Sequence, residues 1–246
     1  MSGSVSPTRA VVLMHRLLLR QLVTKGRVIA LLALGAVTVL AAIGVAVSDE
    51  VDDQVATIIE VMDGMGLVLV VPIVSLVFAS ASLGDTREDG TLVYLWLRPM
   101  DRFPIVFGAY LAALTLSLPL TVAPLALAAG VGGAGADGVV ATVVASAVGV
   151  VAYSAVFVLL GLLIKNAIVW GLAYILLWEG VFAGFSEAIG QASVRGYARA
   201  LLSNLSDIEL GSALDRSTPA AIAVSVGIAV ASLLIASFRL DNLDVA

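Results

Sequence analysis

The residues of this chain that could do chemistry are few. There is no cysteine and only one histidine, so disulfides and thiolate metal sites are ruled out. His15 stands in a basic segment with no acidic neighbour, which leaves no basis for a zinc site or a Ser-His-Asp triad. The two lysines are Lys25 and Lys165, and neither follows a Gly-x-x-x-x-Gly run. That run is what cradles phosphates in a P-loop, so any ATP hydrolysis must come from another chain. One acid, Glu179, falls inside a predicted apolar span, within Trp178-Glu179-Gly180. An ionisable group at membrane depth is costly and points to a pathway or a protein interface. The alternative puts Glu179 among the headgroups at the span's edge. No catalytic, cofactor-binding or metal-binding residue is assigned, and nothing points to nucleic acid.

The elements that must position these residues follow from composition. Of 246 residues, 61% are hydrophobic and 13% charged. A soluble domain is roughly half apolar and about a quarter charged. A bilayer absorbs that excess, and a soluble core of this size cannot. The expected fold is therefore all-α: a polytopic integral membrane protein forming a single transmembrane domain over 1–246. Six apolar spans are read at Val28–Val47, Gly64–Leu83, Phe103–Ala129, Gly138–Ile164, Ala167–Gly184 and Pro219–Phe238. A bilayer crossing takes about 17 to 25 residues. Only Lys165 and Asn166 separate the fourth span from the fifth, which predicts a tight hairpin. Pro72, Pro119 and Pro124 lie inside spans and predict kinks, while Ser217-Thr218-Pro219 reads as a helix start.

Basic residues set the orientation. Arg9, Arg16, Arg20, Lys25 and Arg27 precede the first span; Arg87, Arg98 and Arg102 lie between the second and third; Lys165 and Arg239 complete ten on one side. Arg195, Arg199 and Arg216 make three on the other. The loop Ser48–Asp63 carries Asp49, Glu50, Asp52, Asp53, Glu60 and Asp63 and no basic residue. Basic loops stay inside, so both termini are expected in the cytoplasm. On a helical wheel residues 8–25 place Arg9, Arg16 and Arg20, continued by Arg27, in one stripe opposite Val11, Val12, Met14, Leu18, Leu19 and Leu22, with Leu13 intruding on the stripe. That pattern suits a helix lying in the membrane interface against lipid. Residues 185–218 are too apolar for a free loop and too short for two more spans, so one or two short external helices are expected there.

The most informative stretch is the cytoplasmic loop 84–102. Gly90 breaks the preceding helix, Thr91 can cap the next, and Glu88 and Asp89 precede that N-terminus, where the dipole favours anions. Leu92, Tyr94, Leu95 and Trp96 are large apolar groups, Arg98 closes the helix and Pro99 stops it. A cytoplasmic helix this apolar needs a surface to bury it. The run Glu88-Asp89-Gly90-Thr91-Leu92, the short apolar helix, Arg98-Pro99 and Arg102 resemble the permease subunits of type-2 ATP-binding cassette (ABC) exporters. The layout around it is similar too: a basic N-terminal elbow helix, six spans, and a tight fourth-to-fifth hairpin. Trp178-Glu179-Gly180 also looks like a recurrent feature of some members.

The resemblance implies a permease of the cell membrane that binds no cofactor itself. ATP and Mg would be bound by a separate P-loop ATPase present in two copies, and a second permease copy would complete the pathway. The 84–102 loop, with Arg87 and its neighbours, would then be the coupling helix against the ATPase. Two other classes compete. An ion-coupled secondary transporter needs acids or broken helices near the midplane, and no midplane acid is read. A non-transporting membrane scaffold is the third. The orientation is testable with single cysteines in this cysteine-free chain. Cysteines at Asp52 and Asp137 should label from outside intact cells, and one at Glu88 should not; labelling at Glu88 would invert the topology.

Overall fold

Backbone amides inside a bilayer have no water to bond, so a single apolar run satisfies them by coiling into a helix. The computed structural model describes residues 6–48, 52–90, 102–179, 193–211 and 216–241, and every element among them is helical. In chain order these are α1 (Pro7–Leu22), α2 (Lys25–Ala46), α3 (Gln54–Glu88), α4 (Phe103–Gly132), α5 (Gly135–Leu163), α6 (167–179), α7 (Val194–Ser206) and α8 (Thr218–Asp241). Five of them, α2, α3, α4, α5 and α8, are long and apolar enough to cross a membrane. The chain is a multi-pass α-helical membrane protein. The shorter α6 covers the first part of the predicted fifth span; the rest of that span, Gly180 included, lies outside the described residues. So do Thr91, Leu92, Tyr94, Leu95, Trp96, Arg98 and Pro99.

The largest departure from expectation is α3. It begins at Gln54, ten residues before the predicted start, and runs 35 residues. At about 1.5 Å per residue that is roughly 50 Å, well beyond the ~30 Å hydrocarbon core. Asp53 caps it by accepting from the Ala56 amide at 3.0 Å. Of the two acids in 54–63, Glu60 is exposed, while Asp63 lies on the buried side with Ile58, Ile59 and Met62. Over Met62–Val70 the helix widens into π turns. Pro72 follows directly, and a proline ring collides with the carbonyl four residues back and removes a donor. A wider turn relieves both problems, and π turns are a known cause of bends. The other end of α3 matches the reading of Gly90. The Asp89 amide donates to the Asp85 carbonyl at 2.9 Å and the Gly90 amide to that of Arg87 at 3.2 Å. Gly90 itself sits at φ +67°, where a side chain would be strained.

Helix α5 packs most extensively on α3 and also contacts α4, α7 and α8. The α3–α5 approach is backbone to backbone. A Cβ at Gly161 would fall on the Ser80 carbonyl oxygen, and one at Gly84 would lie 3.5 Å from Gly161 Cα. Between α4 and α5 the turn is tighter than predicted, because Gly133 and Gly135 take φ of +87° and +71°. The Lys165-Asn166 hairpin forms as expected, with Asn166 in the left-handed region at φ +55°.

Helix α1 docks on α4. Ala10, Met14, Leu18 and Leu22, spaced four apart, are buried, and a Cβ at Gly108 would meet Met14 at 2.6 Å. His15 Nε2 lies 3.0 Å from Thr115 Oγ1. The Thr115 hydroxyl donates to the Leu111 carbonyl, so the imidazole Nε2–H is the donor. The broad apolar face expected for α1 is thus divided: Met14, Leu18 and Leu22 face protein, while Val12 is exposed along with Leu13. Adding a side chain at the α3–α5 contact should be costly, since backbone cannot move aside. We expect Gly161→Val to destabilise by about 1–3 kcal/mol or more, read as a lower thermal midpoint in detergent. Gly44→Ala, with nothing within 4 Å of the new Cβ, should change stability by less than about 0.5 kcal/mol.

Candidate functional site

Charged residues gather at the two ends of α3. The proximal end is the one where α3 finishes and α2 and α4 begin; the distal end is the one where α3 starts.

At the proximal end Arg27, from the first turn of α2, donates through Nη2 to Asp85 Oδ2 at 2.9 Å. One turn later Glu88 Oε1 accepts the backbone amide of Asn166 at 2.8 Å, tying α3 to the α5–α6 turn. Arg102, at the foot of α4, lies 3.7 Å from Asp241 at the end of α8. Of the predicted coupling residues, Arg87, Glu88, Asp89, Gly90 and Arg102 are described, and all stand at this end. Arg27, expected in a lipid-facing stripe with Arg9, Arg16 and Arg20, instead turns toward α3. The side chains of Arg27 and Asp85 are 28% and 32% exposed, so water screens the pair. Ser80, Ala81, Gly84, Asp85, Glu88 and Asn166 line a shallow cleft beside it.

The distal end holds a different kind of cluster. Asp63, in the π segment of α3, is reached by two arginines of α7. Arg199 Nε stands 3.1 Å and Arg195 Nη2 3.4 Å from the same oxygen, Asp63 Oδ2. The Asp63 side chain is 8% exposed and each arginine 20%. The second carboxylate oxygen, Oδ1, is buried without a hydrogen-bond partner. Helix α7 is placed by its own sequence. Ser193 caps it by accepting the Gly196 amide at 3.1 Å, and Asp207 ends it at φ +59°. Tyr197, Ala198, Leu201 and Leu202 form its buried side, and a Cβ added at Gly149 of α5 would lie 3.7 Å from the Ala198 methyl.

This cluster corrects the sequence reading. Asp63 is not in a distal loop but within a membrane-length helix, so Glu179 is not alone as an acid inside a span. The sequence carries two signals for it. Arg195 and Arg199 are four apart, which puts both guanidiniums on one helical face. Asp63 interrupts an otherwise helical apolar pattern of Ile58, Ile59 and Met62. Nothing local links them, because the partners lie 132 residues apart. Trp178 and Glu179 fall in the second π segment, Tyr174–Glu179, with Trp178 half-buried. Among the described residues no group of three or more His, Cys, Asp or Glu could hold a metal ion.

The two ends should respond unequally to mutation. Removing Asp63 takes the shared carboxylate from two guanidiniums with little access to water, a loss of about 3 kcal/mol or more. Removing Asp85 breaks a partly solvated pair worth about 1 kcal/mol or less. Denaturant unfolding in mixed micelles should therefore rank Asp63→Ala well below Asp85→Ala, and equal losses would place Asp63 in contact with water.

No protein-family model matches this chain, and no curated protein matches it.

Proposed function

We propose that this chain is the membrane-spanning permease subunit of an ATP-driven transporter of the type-2 ABC exporter kind. It would work as a pair of copies driven by a separate P-loop ATPase, with both termini in the cytoplasm and the proximal end facing it. The observation that carries this reading is the way α3 ends. The most buried of the long helices stops at Gly90, immediately before the apolar segment Leu92–Leu97. Its last turns are fastened to α2 by Arg27–Asp85 and to the α5–α6 turn by Glu88–Asn166. A force on the following loop would pass into three parts of the bundle at once. That is what a coupling element requires, and a passive scaffold has no use for it.

Six crossings are supported by parity. Asn166 stands beside Glu88 at the proximal end and Arg195 beside Asp63 at the distal end, so the chain changes ends between them. Helix α8 then returns to Arg102 at the proximal end. The excess of basic residues at that end supports a cytoplasmic assignment, and Arg9, Arg16 and Arg20 on α1 suit anionic lipid headgroups there. Two copies would give the twelve crossings of a complete pathway. Mechanically, closure of two ATPase subunits would push the loops and switch the paired bundles between inward and outward states.

The test is pull-down of the tagged chain with identification of any co-purifying P-loop ATPase, followed by ATP hydrolysis in proteoliposomes. The chain alone should hydrolyse nothing, and the complex should contain two copies of each subunit. A few large anchors carry most of a helix-in-groove interface, so Leu95→Asp should abolish capture; burying its lone carboxylate costs several kcal/mol. Val93→Ala should leave capture intact. Capture and hydrolysis by Leu95→Asp at the parent's level would refute the coupling assignment.

A further inference from the structure

Helix α7 is too short to cross a bilayer. It has 13 residues, about 20 Å of helix, yet it is not a rim element. A Cβ added at Gly149, halfway along α5, would lie 3.7 Å from Ala198 and 3.0 Å from Val71, halfway along α3. The helix therefore enters the bundle from its distal end. Two features of its seat are unusual for a permanent anchorage.

The first is electrostatic. Both arginines of α7 converge on one oxygen of one carboxylate, and the other oxygen has no partner. Apolar side chains of similar volume would hold a permanently docked helix as well or better than a buried ion pair does. What an ion pair adds is dependence on position: the attraction holds while the carboxylate stays where it is. The second is the backbone beneath that carboxylate. Asp63 lies in the π segment Met62–Val70, which also contains Gly64 and Gly66. Each π turn holds one residue more than an α turn, and such turns cluster at functional sites. Relaxing the segment to α geometry turns the part of α3 before it by about 100°, enough to carry the carboxylate away from both guanidiniums.

We propose that α7 is the distal gate of the bundle and that Asp63, on the π segment of α3, is the latch that holds it shut. The latch sits on the one part of α3 whose register can change, while the proximal end of the same helix is fastened by Arg27 and Asn166. A rotation of α3 releases α7 from Gly149 and opens the bundle at the distal end. This goes beyond the ATPase reading and does not depend on it, because the motion belongs to the chain by itself.

The experiment measures exposure of Ala198, which is 2% exposed in the closed seat. In the full chain in nanodiscs, Ala198→Cys is the only thiol. It should react slowly with a polar maleimide, and Asp63→Asn should accelerate the reaction at least tenfold. Arg195→Gln and Arg199→Gln, each losing one of two bonds, should give intermediate rates and serve if Asp63→Asn does not fold. The reciprocal pair Asp63→Arg with Arg199→Asp keeps the same charges at the seat and should restore slow labelling. Ala112→Cys, buried in α4, should stay protected throughout. The latch is refuted if Ala198→Cys labels at the same rate with and without the Asp63 carboxylate. It is equally refuted if Ala112→Cys speeds up in parallel, which would mean general loosening. Neither result bears on ATPase capture by the proximal loop, so the two readings fail separately.

Discussion

The approach of α3 to α5 at Ser80, Gly84 and Gly161 is the contact on which the other helices depend. Helices in a bilayer gain little from burying apolar surface, since lipid is as apolar as leucine; they associate where small residues let backbones come close. Here the Gly161 α-carbon rests on the Ser80 carbonyl, with no side chain between. That places α3 inside the bundle rather than on its rim, and α5 then presents its other sides to α4, α7 and α8. Ser80 and Ser82 could disturb so dry a contact, but their hydroxyls donate to the carbonyls of Leu76 and Ala79 within the same helix. Both hydroxyls are therefore satisfied without crossing the seam.

A helix held in the middle and longer than the bilayer has two ends that can carry different loads, and α3 does. Its proximal end bears pairs open to water, cheap to break and remake. Its distal end bears a carboxylate and two guanidiniums largely shut away from water, where each charge depends on the others. The widened π turns lie between the distal charge and the rigid centre. This gradient of solvation and stiffness along one element is the basis for reading α3 as a mechanical connection between the two faces, with the loop after Gly90 at one end and α7 at the other.

Much of this architecture was legible. Gly90 after a charged run, Asn166 in a two-residue connection and Thr218-Pro219 at a helix start all behave as their chemistry dictates, because each acts within its own turn. Of the six apolar runs, five coincide with membrane-length helices for the same reason: hydrophobic length is a local property. The readings that failed were of residues whose partners are remote. Gln54–Asp63 looked like a loop because its acids are visible in sequence, whereas the Gly132 and Gly138 surfaces that bury Ile58 and Ile59 are not. Helix α1 was read with a single apolar face, though Gly108 of α4 claims part of it.

What the sequence determined by itself, then, is a multi-pass helical membrane protein. Period, length and composition suffice for that, since a bilayer selects on those quantities alone. Only the tertiary structure decided that Asp63 lies inside a helix, that Arg195 and Arg199 share one of its oxygens, and that Arg27 serves α3 rather than lipid. A charge is tolerated away from water only when another meets it, and which charges meet is set by how helices cross, not by their order in the chain.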